Sequence, residues 1–163
     1  MAGLEAFTEE YTDALLDLVA YLHPAVDPDT GHHVCHRHGL GAAVLRASGR
    51  AVPALVVGGC LLLVEGEEPV RAVLGEARPA GLEEWGEERA RVGGVLVDSY
   101  WLSQALRAAG ELRARAGLYL VGMEGEDWVA VHLEWRGGSA LALVPPRCSG
   151  EERIQRGSQS FYQ

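Results

Sequence analysis

Residues 97–147 read "VDSYWLSQALRAAGELRARAGLYLVGMEGEDWVAVHLEWRGGSALALVPPR", and how this stretch folds decides the architecture of the whole chain. Asp98 or Ser99 is placed to cap a helix, because a short side-chain oxygen there can accept from the first unpaired backbone N–H groups. Trp101, Leu102, Ala105, Leu106 and Ala109 then recur at three- and four-residue steps, which gives the helix one core face, and Gly110 is a stop signal. Beyond it the apolar period shortens to that of a strand. "LRARAGLYLVGM", "WVAVHLEW" and "ALALV", separated by the turn stretches "EGED" and "RGGS", predict three antiparallel strands. Ala140 to Val144 read as a buried strand that Pro145, Pro146 and Arg147 bring to a stop.

Toward the N-terminus the pattern is similar in kind. Leu4, Phe7, Tyr11, Leu15, Leu18 and Leu22 predict an amphipathic helix over residues 4–22, ended by Pro24. Its polar face carries Glu5, Glu9, Glu10, Asp13 and Asp17 with no basic residue. "GAAVLRASG" reads as a strand, and "AVPALVVGGCLLLV" as two strands joined at Gly58-Gly59. "PVRAVLGEA" is expected to be a further strand, "RPAGLEEWGEERA" an exposed connection, and "RVGGVLV" a return to the sheet. Helix, strands, helix, three strands predicts an α+β fold with two helices packed on one face of antiparallel sheet, as two pseudo-repeated helix-plus-hairpin units. The expected organisation is one domain over residues 1–148 and a flexible tail over 149–163.

Composition narrows the function classes. Of 163 residues, 48% are hydrophobic and 23% charged, the balance of a folded chain with a sizeable core. The net charge of −9 opposes non-specific attraction to nucleic acid or anionic membrane. All 14 basic residues are arginines. No apolar run is long enough to cross a bilayer, the acidic N-terminus is unlike a signal peptide, and Cys35, Cys60 and Cys148 are too scattered for a disulfide framework. A cytoplasmic location is the expectation that follows.

Three stretches resemble a single domain of the bacterial DNA polymerase III β sliding clamp. Val97 to Gly110 is similar to that family's second helix, Gly58 to Ala77 to its paired strands, and "ALALVPPR" to its C-terminal strand with a Pro-x-Arg close. The resemblance spans roughly residues 4–148. Clamps carry three such domains, and this chain has room for one. What the resemblance implies is a non-enzymatic protein-interaction module in DNA replication or repair, with polymerases, clamps or repair factors as partners and oligomerisation within reach. It implies a peptide-binding wall at Ala142 and Val144, closed by Pro145 and Arg147, and a DNA-facing set at Arg107, Arg113 and Arg115. The five carboxylates of the first helix would repel phosphate, so autonomous sliding on DNA is not expected.

"HHVCHRH", residues 32–38, offers different chemistry. On a strand, His32, His36 and His38 would share a face, and imidazoles two residues apart can chelate zinc. A solvated histidine-rich loop explains the same residues, and no CxxC or HExxH accompanies them. The expectation is therefore no resident cofactor, with zinc at this cluster as the alternative. No GxSxG, phosphate-binding loop or dinucleotide fingerprint is present, so the sequence predicts no enzyme. Two other classes stay open: a His-cluster metal-binding protein on an unrelated α+β fold, and an acidic immunity-type protein that neutralises a basic partner.

Overall fold

A computed structural model describes residues 40–57, 61–123 and 125–147. The predicted first helix, the histidine cluster, the Gly58-Gly59 turn and the 149–163 tail lie outside the described residues. In chain order the elements are β1 (Leu40–Ala47), β2 (Arg50–Val57), β3 (Leu61–Glu65), α1 (Glu67–Leu74), β4 (Ala77–Pro79), β5 (Leu82–Trp85), β6 (Arg89–Val92), β7 (Val95–Asp98), α2 (Ser99–Leu112), β8 (Arg115–Met123), β9 (Glu126–Trp135) and β10 (Gly138–Val144). The fold is α+β, and every strand pairing is antiparallel.

Seven strands form one sheet in the order β1-β2-β3-β10-β9-β8-β4, and β5-β6-β7 form a second, smaller sheet. Strand β10 lies near the middle of the large sheet, with Ala142 opposite Leu63 of β3 and Val131 of β9. Alternate side chains of a strand leave on opposite faces, and here both faces are covered. Leu141 and Leu143 pack with Val70, Ala72 and Val73 of α1, while Ala140, Ala142 and Val144 pack with Leu102, Ala105 and Ala108 of α2 and with the small sheet. Layers therefore run α1, large sheet, then α2 with the small sheet. This double coverage explains why β3 ("LLLVE") and β10 read as continuous apolar runs instead of alternating ones.

Helix α2 begins where its cap residue predicts. The Asp98 carboxylate accepts from Tyr100 N–H at 2.9 Å. The helix passes through Gly110, however, and ends at Leu112. Arg113 takes the left-handed conformation (φ 55°) at its C-cap, and its N–H reaches back to helical carbonyls. Gly110 lacks the positive φ by which a glycine closes a helix, and Arg113 takes that conformation instead.

The structure corrects three further expectations. "PVRAVLGEA" is not a strand. Pro69 sits in the first turn of α1, where its missing N–H costs nothing, and Val70 and Val73 fall on the buried side at a helical step. Alternating Val-Arg-Ala-Val fits both periods over so short a run, and the strand reading chose the wrong one. Helix α1 packs on the face of the large sheet opposite α2, while the expected companion of α2, the helix over 4–22, lies outside the described residues. "RPAGLEEWGEERA" contains β4 and β5 and leads into β6, and "RVGGVLV" contributes to β6 and β7, a hairpin of the second sheet and not of the large one. Strands β2 and β3 pair from Val57 opposite Leu61.

At the β6–β7 turn both glycines have positive φ, 55° at Gly93 and 84° at Gly94, a conformation that side chains resist. They differ in surroundings. A Cβ on Gly93 would lie 2.9 Å from both the Ala80 methyl and the Leu120 side chain, whereas one on Gly94 would meet nothing within 4 Å. Gly94→Ala should cost about 1 kcal/mol of backbone strain. Gly93→Ala should cost clearly more, because steric overlap adds to the same strain; urea denaturation of the two variants checks the order.

Candidate functional site

The end of β10 is where the two sheets are fastened together. Pro145 and Pro146 cannot donate backbone hydrogen bonds, so pairing along the large sheet ends at Val144. The chain crosses to the small sheet, where Pro146 forms an antiparallel bridge with Val97 and Arg147 N–H donates to the Leu96 carbonyl. The Arg147 guanidinium donates to the Glu88 carbonyl at 3.0 Å, and the same carbonyl accepts Ser99 N–H at 3.0 Å. Ser99, the only polar residue described as fully buried, donates its hydroxyl to the Gly86 carbonyl at 2.7 Å. A close that reads as a terminator in sequence is thus a clasp holding the Gly86–Glu88 turn and the start of α2.

This geometry places the residues of the expected peptide wall. Ala142 and Val144 are both 0% exposed, so their side chains are core and an incoming peptide meets neither in this arrangement. Pro145 and Arg147 are part-exposed, and Arg147 is bound into the clasp. Of the expected phosphate-facing set, all three arginines are exposed. Arg115 lies 3.4 Å from Glu134, Arg113 closes α2 through its backbone, and Arg107 is on α2 itself. His32, His36 and His38 lie outside the described residues. Among those that are described, no group of three or more His, Cys, Asp or Glu side chains is arranged to hold a metal ion.

A second feature escaped the sequence reading. The far end of the β9–β10 hairpin and the start of α1 enclose an open cavity of about 410 Å³, lined by Glu65, Glu67, Glu134, Trp135, Arg136 and Ser139 among others. Gly66, at φ 109°, turns the chain from β3 into α1 here, and its N–H donates to the Ser139 carbonyl at 2.9 Å. His132 Nε2 and Ser139 Oγ are 3.1 Å apart, and the Tyr119 ring stands edge-on to the imidazole. A hydroxyl beside an imidazole is half of a nucleophilic arrangement, but no described carboxylate bonds the other ring nitrogen to orient it. Spacing alone could not have paired His132 with Ser139, which meet only diagonally across the Leu141–His132 and Ser139–Glu134 register.

Comparison with models of known families, with curated proteins and with solved structures finds no match for this chain. Fold and site together define a three-layered α+β domain of two antiparallel sheets joined by a C-terminal clasp. No helix among the described residues is long and apolar enough to cross a membrane.

Partial burial raises the Glu65 carboxyl above its ordinary value. The protonated form is therefore favoured more in the folded chain than in the unfolded one. The associated stability is present below the unfolded carboxyl's range and is lost as pH rises through the folded value. Glu65→Gln removes this dependence. Relative to the parent, the variant should gain stability between pH 4 and pH 7, read from urea midpoints at the two pH values; an unchanged difference would show that Glu65 is solvated as well folded as unfolded.

Proposed function

We propose that the chain is a non-enzymatic, sliding-clamp-like protein-interaction module that works beside DNA replication or repair in the cytoplasm. The observation that carries this reading is the continuous unit β7–α2–β8–β9–β10 with its Pro145-Pro146-Arg147 close. Two of the three stretches that carry the sequence resemblance fall within it, and it runs strand, capped helix, three antiparallel strands and a proline-arginine ending. The third stretch, Gly58 to Ala77, contains α1 where paired strands are expected. In the clamp-like arrangement the partner of α2 is the predicted helix over 4–22, with β1 to β3 as its hairpins; two such units would make the pseudo-repeat. Partner proteins would then be held at the clasp, by Pro145, Arg147 and the turn they secure, with Ala142 and Val144 as the support beneath.

The charge distribution favours docking of proteins over encircling of DNA. A net charge of −9 faces phosphate unfavourably, and Arg115 already has Glu134 as its neighbour. A second reading, the acidic immunity-type protein, draws on one specific feature: Glu83, Glu84, Glu87 and Glu88 crowd the β5–β6 hairpin.

The two readings part in a binding experiment. Labelled clamp-binding peptides from bacterial polymerases and repair proteins should bind saturably, and Arg147→Ala should weaken them about tenfold, or about 1.4 kcal/mol. Duplex DNA in filter binding should do no better than the ~10⁻⁴–10⁻⁶ M of non-specific contact. Tight, salt-sensitive duplex binding would overturn the exclusion of DNA, and peptides that ignore both proteins would overturn the docking role.

A further inference from the structure

Strand β5 is the outer strand of the small sheet, and it buries nothing: Leu82, Glu83, Glu84 and Trp85 are all exposed. One side of its backbone pairs with β6, and the other pairs with no strand among the described residues. A regular strand would send Leu82 and Trp85 to opposite faces, because they are three residues apart. The β5–β6 register skips Glu83, however, so Leu82 stands opposite Val92 and Trp85 opposite Ala90. Directly opposed residues share a face. Val92 and Ala90 belong to the core beneath α2, and their β7 partners Val95 and Val97 continue the same face. The irregularity thus brings both large apolar side chains of β5 onto the inner face of the small sheet, beyond the edge of what α2 covers. There they remain 48% and 50% exposed. Tyr100, also 49% exposed, follows Ser99, whose hydroxyl is bonded to the residue after Trp85.

The other face and the adjoining turn are acidic. Glu84 lies 3.5 Å from Arg91, and Glu83 accepts from Gly94 N–H. Glu87 and Glu88 hold their carboxylates in solvent with no ion pair among the described residues. From Gly81 to Glu88 there are four glutamates and no basic residue. We propose that β5 is a docking edge for a basic, extended segment of a partner protein, which adds alongside it as a further strand of the small sheet. Backbone pairing would supply the alignment, Leu82 and Trp85 would receive alternate apolar side chains, and the glutamates would select arginine or lysine between them. Charge disfavours two other candidates. The predicted helix over 4–22 presents only carboxylates on its polar face, and the β5 of a second copy brings the same glutamates. This surface adjoins the clasp at the Gly86–Glu88 turn, but its apolar anchors Leu82 and Trp85 lie on β5, outside the clasp, and it does not depend on the clamp-like reading.

A short fluorescein-labelled peptide of alternating valine and arginine is the probe, followed by anisotropy against the full chain. Saturable binding is expected, weakening as salt rises. Trp85→Ala should weaken it about tenfold or more, as loss of an aromatic anchor does. Val44→Ser, which alters another exposed apolar residue on the opposite edge of the large sheet, should leave it unchanged. Urea midpoints of both variants, half-exposed or more at the altered residue, establish that they remain folded. A peptide of the same sequence methylated on alternate backbone nitrogens should not bind, since it cannot pair with a strand. Equal binding of the methylated peptide, equal binding by Trp85→Ala, absence of saturable binding, or self-association of the chain through β5 would each overturn the proposal. None of these outcomes bears on the clasp, which the Arg147→Ala experiment tests separately.

Discussion

Strand β10 is the element on which the remaining structure depends, because it is held on all four sides, as its neighbour β3 is, and it also continues into the clasp. Its two backbone edges are taken by β3 and β9, and its two faces by α1 and by α2 with the small sheet. The alternation Ala-Leu-Ala-Leu-Val divides the work by size. On one face Ala140 and Ala142 meet Ala105, Ala108 and Ala109 of α2, so small side chains on both partners let the helix come close to the sheet. On the other, Leu141 and Leu143 reach out to α1, a helix of only eight residues with little apolar surface of its own. Close packing penalises a change of volume in either direction, so exchanging the two residue types would overfill one layer and leave a void in the other.

The ending of that strand follows from the same constraint. A strand with both edges paired and both faces covered has no solvent to run into, and a continued ladder would carry it past the layer it supports. Two prolines end the pairing by removing two donors. The chain is then free to lend its next donor, Arg147 N–H, to the second sheet. The clasp that results joins elements distant in sequence: the Glu88 carbonyl accepts from Arg147, 59 residues further along the chain, and also from Ser99. Arginine suits this position better than a lysine would, since its planar fork and long stem reach a carbonyl while the charge stays partly in water.

Much of this architecture was legible in the sequence. Asp98 announced α2, the spacing of Leu102 and Ala105 gave its face, and the turns at "EGED" and "RGGS" delimited β8 to β10 in their observed places. The apolar runs of β9 and β10 were equally readable. Assignment of strands to sheets was not, because the apolar pattern of a strand records which faces are buried and not which neighbour lies beside it. That is why "RVGGVLV" was expected in the large sheet. Helix α1 was missed for a related reason: eight residues hold little more than two turns, too few for a helical period to prevail over alternation. The candidate site was less legible still. Ala142 and Val144 signalled burial correctly and exposure wrongly, since a strand ending in prolines looks the same whether a layer covers it or not. The cavity beside Glu65 depends on β3, α1 and the β9–β10 hairpin meeting, which no local pattern encodes.

Charge and core are distributed in a way that separates stability from recognition. The described fully buried residues include one polar side chain, Ser99, and no charged ones, and among the described residues no buried side-chain nitrogen or oxygen lacks a hydrogen-bond partner. Among the described residues, ion pairs such as Arg71–Glu67 and Arg78–Asp127 lie at the surface and are each worth little in solvent, while the partly buried Glu65 adds a pH-dependent contribution. The surface charges are consequently free to vary without unfolding the chain. Charge on the described surface has its physical consequences in solubility and in the choice of partner. Strand β5 is the extreme case. It adds two large apolar side chains and two carboxylates to the surface and nothing to the fully buried core, so its composition answers to what it meets in solution more than to the fold that carries it.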